Sequence, residues 1–245
     1  SIIRVSPQSR APKAIMVSLE QLSAEVEELG PLPLAASKLA QLLDNPHMDL
    51  GEVVVAIRYD QGLTATILRY ANSAASAPST PVQTVRDALI RLGVGKVLGL
   101  ALALWVRSPM AEALPAYGFG ERELWRHSAA CALATEVLDR HIPERLPSLI
   151  FTAALLHDVG KLVLARHLNH ENLEAIWRRM VPLETTYAQA EEQTLGFGHA
   201  QLGARIVERW NLTRDIVLAI RNHHRPEATD DPVCAAVQVC NLAAK

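Results

Sequence analysis

The residues of this chain that are best suited to metal chemistry are its histidines, and eight of the nine lie after Met110. The pair His157-Asp158 is the most informative, because it ends an apolar run that would otherwise belong in a protein core. Neutral imidazole and carboxylate groups are the usual ligands of Zn, Mn and Fe, and a buried charge is costly unless it is paired or coordinated. We therefore predict a shared metal site with ligands drawn from His127, His157, Asp158, His199, His223 and His224.

Some of these histidines have an equally good structural interpretation. His199 follows Gly196-Phe197-Gly198 and opens a helix, so helix capping or a bond to a carboxylate explains it as well as metal binding does. His223 and His224 close a helix just before Pro226, and the sequence favours one of them over both as a ligand. We assign no role to the remaining histidines, which lie in predicted turns or on polar faces: His47, His141, His167 and His170.

Three neighbours of the predicted ligands carry functional groups of their own. Glu123 precedes His127 by four residues and therefore shares its helix face. Cys131 follows His127 by four residues, and a small buried residue is a better interpretation of it than a ligand. Lys161 follows Asp158 by three residues, and it is either close to an anion at the site or a solvated lysine.

The elements that position these residues are predicted to be helices throughout, which makes the chain all-α. Apolar residues recur at helical spacing, and no segment shows the period-two alternation of a strand. Asp49 is predicted to cap one helix, Gly30-Pro31 to stop the first, and Gly160 to kink the helix that carries His157-Asp158. The predicted helices cover residues 19–29, 34–43, 50–59, 62–74, 85–92, 94–106, 121–140, about 147 onward, 171–180, 183–195, 199–210, 213–223 and 232–244.

The organisation along the chain indicates two helical lobes behind a tail. Residues 1–17 contain two prolines and three basic residues without a helical period, which is typical of a linker or tail. Residues 108–120 are rich in proline and glycine and give the best internal boundary. We therefore predict an N-terminal helical lobe over residues 18–110 and a histidine-bearing helical lobe over residues 111–245.

Composition and charge argue against nucleic-acid binding and membrane contact as functions of this chain. Apolar residues make up 49% and charged residues 20% of the 245 residues, and the net charge is −2, as in an ordinary globular protein. The arginines near the C-terminus are interrupted by acids, so we expect a helix surface and no nucleic-acid partner. The longest apolar stretch is too short to span a bilayer, so we expect no membrane contact. Three cysteines without a CxxC motif suggest reduced thiols and a cytoplasmic location.

These motifs, in this order, resemble a known family. Leu156-His157-Asp158-Val159-Gly160-Lys161, with Trp125-Arg126-His127-Ser128 before it and His223-His224 after it, is similar to the HD superfamily of metal-dependent phosphohydrolases. Segments 29–33, 57–64, 67–73 and 88–93 resemble the front portion of the HDOD domain, the HD-related output domain of bacterial signalling proteins. The resemblance runs from about Leu22 to Leu242, nearly the whole chain.

The resemblance carries expectations about fold, cofactor and function. It implies that the second lobe is an HD-type helical bundle whose site holds a divalent metal, with Mn, Fe, Zn and Mg as the candidates. It implies a signal-transduction output or regulatory module that acts through protein contacts, fused to or paired with signalling proteins such as sensor or receiver domains. The alternative is a metal-dependent phosphohydrolase or phosphodiesterase acting on nucleotides or cyclic dinucleotides. Under this alternative, the small ligand of the site is a nucleotide.

One departure from the superfamily pattern favours the regulatory function. The pattern closes with an Asp in the last helix, whereas the matching segment here reads Val239-Cys240-Asn241-Leu242-Ala243. Asn241 offers a neutral carbonyl oxygen in place of an anionic ligand, which weakens a cation site. The Gly-Tyr-Pro motif that accompanies cyclic di-GMP hydrolysis in the related HD-GYP group is also missing near the HD helices. We assign no catalytic residue.

Overall fold

The computed structural model describes residues 18–25, 32–45, 47–73, 80–143, 145–181 and 185–244, and this part of the chain is all-α, as predicted. Within these ranges there is no strand, and a single isolated bridge joins Leu114 to Phe119. Short 3-10 turns cover Pro115–Tyr117 and Pro226–Ala228. Helices α1 to α14 span Leu19–Ala24, Leu34–Asp44, Leu50–Arg58, Gln61–Ala71, Val85–Leu92, Val94–Met110, Glu123–His141, Ile150–Leu156, Gly160–His167, His170–Met180, Tyr187–Leu195, His199–Arg209, Arg214–Asn222 and Pro232–Ala243.

Seven of the fourteen helices begin where a short polar side chain caps the first turn. The Asp49 carboxylate accepts from the Gly51 N–H at 2.7 Å, which confirms it as the predicted cap of α3. Thr84 and Thr186 accept backbone N–H groups at the starts of α5 and α11 in the same way. These side chains satisfy amide groups that a helix leaves unpaired at its N-terminus, so the local sequence fixes where each helix starts.

The structure corrects three predicted boundaries. α6 runs to Met110, with Pro109 in its last turn, so the first residues of the predicted boundary segment are helical. The helix predicted from about residue 147 is two helices, α8 and α9, with His157-Asp158 between them. α11 starts at Tyr187 rather than at Leu183, because Thr186 supplies the cap. The tail over residues 1–17 and the predicted stop at Gly30-Pro31 lie outside the described residues.

Helices from the two halves of the chain share one hydrophobic core. One cluster of buried apolar residues includes Leu39 and Leu98 from the first half and Leu156 and Ile206 from the second. At their contact, the Thr152 hydroxyl of α8 donates to the Gly95 carbonyl of α6 at 2.7 Å. The division into lobes at residues 108–120 stays a prediction, since buried residues on both sides of it contribute to this cluster.

Two further contacts join separate segments of the chain. The Asn72 amide donates to the carbonyls of Leu68 and Val82 and accepts from the Val82 N–H, each at 2.8 Å, so this side chain holds the end of α4 against Val82. Trp105 of α6 meets Trp210 at the end of α12 edge to face, with ring centroids 4.9 Å apart.

No single helix in the described ranges is both long enough and apolar enough to cross a membrane. Only α5 and α6 taken together pass a test of length and apolar composition, and the pair is bent by 112°.

Candidate functional site

The centre of the candidate site is Asp158, which lies in the turn between α8 and α9. The chain stays in a right-handed helical conformation through this turn, while the regular helix is interrupted after Leu156. His157 is completely buried and Asp158 is 1% exposed. A carboxylate this deep needs cationic or hydrogen-bonding partners, so the side chains around it define the site.

Gly160 allows the helix that carries His199 to approach Asp158. A Cβ atom at Gly160 would lie 2.0 Å from the His199 carbonyl oxygen and 2.6 Å from the Gly203 nitrogen, both backbone atoms of α12. The regular helix is interrupted just before Gly160, at residues 157–159, and this interruption needs no positive φ at the glycine. Glycine is required here because two helix backbones touch at this residue.

The Oδ2 atom of Asp158 faces His127 and His157. Their Nε2 atoms lie 3.6 and 3.3 Å from it, and the two Nε2 atoms are 3.3 Å apart. The Lys161 ammonium forms an ion pair with the same oxygen at 2.7 Å, so this lysine is neither free in solvent nor remote from the site. We call His127, His157 and Asp158 Oδ2 the Oδ2 group.

The Oδ1 atom of Asp158 faces the three remaining predicted ligands. Nε2 of His199 lies 3.3 Å and Nε2 of His223 lies 3.8 Å from Oδ1, while His224 Nε2 is 2.9 Å from His199 Nε2. We call His199, His223, His224 and Asp158 Oδ1 the Oδ1 group. The structure therefore brings together all six predicted residues, including both histidines of the pair 223–224.

Hydrogen bonds to backbone carbonyls fix how two of these rings face the site. Nδ1 of His157 donates to the Ala154 carbonyl at 2.8 Å, and Nδ1 of His223 donates to the Ile220 carbonyl at 2.7 Å. Because a carbonyl can only accept, Nδ1 carries the hydrogen and a neutral ring presents the lone pair of Nε2 to the site. This is the ring orientation of a metal ligand.

Two buried atoms at the centre lack a hydrogen-bond partner among the described residues, namely Asp158 Oδ1 and His223 Nε2. Both are electron-rich, and they lie 3.8 Å apart. Two buried lone pairs that face each other are unfavourable unless a cation lies between them. The metal–ligand bond lengths of first-row ions, about 2.0–2.1 Å to nitrogen and oxygen, would fit between atoms at this spacing.

A second row of side chains supports His199, and sequence reasoning missed it. Nδ1 of His199 bonds the buried Glu191 carboxylate at 2.6 Å, and the Tyr117 hydroxyl donates to the other oxygen of Glu191 at 2.6 Å. The carboxylate interpretation of His199 is thus correct and is compatible with a ligand role, because metal-binding histidines usually bond a carboxylate through their second nitrogen. Side-chain capping by His199 was wrong, since Gly198 occupies the cap position.

The electrostatics follow from burial beside this charge. Although burial alone would raise the pKa of Asp158, the charges and hydrogen bonds of His157, Lys161 and His199 hold that pKa well below its usual range. Burial lowers the pKa of His223, and it lowers the pKa of His224 to about 3. Burial likewise lowers the pKa of His127. The lowered pKa values keep His127, His223 and His224 neutral, which is the state that binds a metal.

His199 and Glu191 form a charged pair at the edge of the site. Burial would lower the pKa of His199, but the neighbouring Glu191 carboxylate outweighs it and raises that pKa. Burial would raise the pKa of Glu191, and the charge and hydrogen bonds of His199 lower it instead. The Glu191 carboxylate therefore favours the protonated form of His199 beside Asp158.

A cavity of about 860 Å³ opens next to the two groups. Its wall includes Lys161, Arg126 and Arg225, the aromatic rings of Tyr117 and Phe119, and Asn241 from α14. Glu123 also lines this cavity, but its carboxylate accepts the Gly120 N–H at 2.7 Å and is exposed. The site thus combines buried ligands with an accessible, mixed basic and aromatic wall.

Comparison with known proteins agrees with this arrangement. The HDOD domain family model matches residues 29–226. A candidate phosphohydrolase from Shewanella amazonensis is 24% identical, with a TM-score of 0.65 over 91% of this chain and 79% of that one. An HDOD domain protein with unknown function from Geobacter sulfurreducens is 24% identical, with a TM-score of 0.63 over 93% and 78%.

Two longer relatives share the fold or the sequence over part of their length. A candidate signal transduction protein from Marinobacter aquaeolei is 27% identical, with a TM-score of 0.60 over 91% of this chain and 49% of that one. An uncharacterised protein from Treponema pallidum is 23% identical over 235 residues, 90% of this chain. This chain spans 43% of the Treponema protein's length. With the family model matched over most of its residues and the histidine–aspartate site in place, the chain belongs to the HDOD domain family.

Proposed function

We propose that this chain is a regulatory module of bacterial signal transduction that acts through protein contacts and binds a divalent metal in a degenerate HD-type site. The observation that carries the proposal is Asn241, which stands where the superfamily pattern places its last acidic ligand. It is 5% exposed and lines the same cavity as His127. The site therefore keeps its imidazoles and lacks one of its negative charges.

The residues present fit a metal ion. Five imidazoles surround one carboxylate, and the unpartnered pair of Asp158 Oδ1 and His223 Nε2 supports a cation between them. Nitrogen-rich sets with one carboxylate suit Zn or Fe better than Mn or Mg, which prefer oxygen ligands. When bound, such an ion would position a phosphate and acidify a water molecule.

The missing charge weighs against turnover of phosphate esters. Replacing an anionic ligand by a neutral amide beside a divalent cation weakens the site by several kcal/mol on the Coulomb scale of a semi-buried pocket. Glu123 does not replace it, since its carboxylate is engaged with the backbone at Gly120. Under this proposal, the ion stabilises one arrangement of the helices, and fused or paired sensor and receiver domains respond to that arrangement.

The signalling context has independent support. The Marinobacter relative, at 27% identity, is described as a candidate signal transduction protein, and it is about twice as long as the region that this chain matches. The three buried thiols suit the reducing cytoplasm that the sequence predicts.

A second candidate function is a metal-dependent phosphohydrolase. The observation that favours it is the cavity beside the histidines, whose volume of about 860 Å³ is large enough for a nucleotide. Lys161, Arg126 and Arg225 on its wall would suit a phosphate group.

Elemental analysis and an activity panel distinguish the two functions. We expect purified protein to bind Zn, Fe or Mn and to show negligible turnover of cyclic dinucleotides, nucleoside triphosphates and generic phosphoesters. Metal-dependent turnover near about 1 per second, within the ordinary enzyme range, that disappears in His157→Ala would establish the hydrolase instead. His141→Ala, on the exposed end of α7, is the matched control.

A further inference from the structure

Cys131 lies against the Oδ2 group, although its position in the sequence suggested only a small buried residue. It is one helical turn after His127 on α7 and is completely buried. Its Sγ atom is 3.6 Å from His127 Nε2. The ligand atoms of His127, Cys131 and His157 all lie within 4.8 Å of one another. The cysteine is therefore one member of a cluster of metal-binding groups.

The spacing of these atoms matches a tetrahedral ion. With metal–nitrogen and metal–sulfur bonds of about 2.1 and 2.3 Å, the separation of 3.6 Å between Sγ and His127 Nε2 subtends about 110° at the ion. The separation of 3.3 Å between the two imidazole nitrogens subtends about 105°. Asp158 Oδ2 lies 3.6 and 3.3 Å from the same two nitrogens, which is close enough to both for it to be a fourth ligand.

We propose that Cys131 is a metal ligand, and that Cys131, His127, His157 and Asp158 form a closed four-coordinate site that selects Zn²⁺ over Mn²⁺ and Mg²⁺. The proposal rests on the metal binding proposed above and deepens it. Thiolate is a soft ligand that favours zinc, whereas manganese and magnesium prefer oxygen. Four protein ligands leave no open position, as in structural zinc sites, which agrees with a regulatory rather than a catalytic role.

The thiolate also restores the charge that Asn241 lacks. A thiolate and one carboxylate together balance the two positive charges of the ion. On binding, the S–H bond of Cys131 breaks, the metal–sulfur bond forms and the proton passes to solvent, so no oxidant or reductant is involved. Lys161 gives up its ion pair with Asp158 Oδ2, and its ammonium is already 5.4 and 5.3 Å from the ring centres of Tyr117 and Phe119.

Cobalt substitution of the full chain tests this ligand directly. A thiolate bound to Co²⁺ gives a charge-transfer band in the near ultraviolet, which nitrogen and oxygen ligands do not give. We expect the band in the wild-type chain and in Cys234→Ser, a buried thiol on α14 that serves as the matched control. We expect Cys131→Ser to lose the band and to bind Zn²⁺ at least about tenfold more weakly, with a smaller change for Mn²⁺.

A complementary variant guards against misfolding of Cys131→Ser. Cys234→Ala/Cys240→Ala leaves Cys131 as the sole thiol of the chain, so a band in that variant must come from Cys131. Cobalt bound without a thiolate band in the wild-type chain would overturn the Cys131 ligand and leave the proposed metal-binding function standing. Absence of any bound cobalt or zinc would overturn both.

Discussion

The two sides of Asp158 hold similar ligands in different ways. On the Oδ2 side, His127 and His157 come from α7 and the end of α8, which pack on each other, and Lys161 neutralises the oxygen at 2.7 Å. On the Oδ1 side, the ligands come from α12 and the end of α13, and the oxygen has no hydrogen-bond partner among the described residues. Glu191 and Tyr117 brace this side from outside.

The difference shows how one carboxylate can serve two environments. The Oδ2 side satisfies its charge within the protein, so a metal there must displace an ammonium group. On the Oδ1 side, the His199 ring already lies 3.3 Å from the oxygen, and His223 Nε2 has no hydrogen-bond partner among the described residues. An ion at either group must therefore displace an existing contact of Asp158, and each variant below separates the two sides further.

Gly160→Ala should have the largest effect of these variants, and the effect is on stability. The new side chain would push α9 and α12 apart, and with them the two sides of Asp158. The new Cβ would meet backbone atoms of α12 at 2.0 and 2.6 Å, which cannot move aside as a flexible side chain would. We expect a loss of about 3 kcal/mol or more in the free energy of unfolding. Gly62→Ala, whose Cβ would lie at an ordinary 3.5 Å from Asp60, is the control in chemical denaturation. Equal stability of the two variants would show that α9 and α12 do not touch at this point.

Asp158→Asn should affect both sides, because it removes the charge that they share. Asparagine keeps the shape of the side chain but loses the anionic ligand, and Lys161 loses its ion pair. We expect both zinc and manganese to bind at least about a hundredfold more weakly in calorimetric titration. Asp87→Asn, on the exposed face of α5, provides the comparison. Retention of tight binding at one group would mean that Asp158 does not bridge the two.

Glu191→Gln should lower the metal affinity of the Oδ1 group alone. The amide can still accept from His199, but it no longer holds the imidazole by charge. Loss of an outer carboxylate typically lowers metal affinity by about 10- to 100-fold. The cobalt–thiolate band, which reports on Cys131, should remain. Glu174→Gln, an exposed residue paired with Arg178, is the control, and a fading thiolate band in Glu191→Gln would contradict the separation of the sides.

Asn241→Asp should have the smallest effect on metal affinity, and the change should occur at the Oδ2 group. α14 packs on α7, and Asn241 lines the cavity together with His127. The substitution adds a negative charge with almost no change in volume, so we expect metal affinity to rise by about tenfold. Titrations of apo-protein with Zn²⁺ and Mn²⁺ measure it. An unchanged affinity would place Asn241 outside the reach of the metal.

The helices and the six converging residues could be predicted from the sequence, because periodicity, caps and motif order are local signals. The bounds Val85–Leu92 of α5 were predicted without error, and Asp49 was identified as a cap. The supports of the site could not be predicted. Tyr117 lies in a segment that the sequence suggests is a boundary. The burial of Glu191 on α11 is visible only in the structure.

The role of Gly160 was hidden for a different reason. A glycine before Lys161 is consistent with either backbone freedom or close packing, and only the neighbouring helix decides between them. The same holds for Cys131, since a burial pattern shows that a thiol is enclosed but does not show which groups enclose it. Contacts between helices are tertiary information that a single sequence does not contain.

The contact between Trp105 and Trp210 can serve as an intrinsic fluorescence probe of the site. His199 begins α12 and Trp210 follows its last residue, so a rigid rod of roughly 16 Å joins the site to an indole pair. A small tilt of that rod would change the quenching between two rings now 4.9 Å apart, while the exposed Trp177 would emit at longer wavelength as an internal reference. Occupancy at the histidines can therefore be followed by fluorescence without attaching a dye.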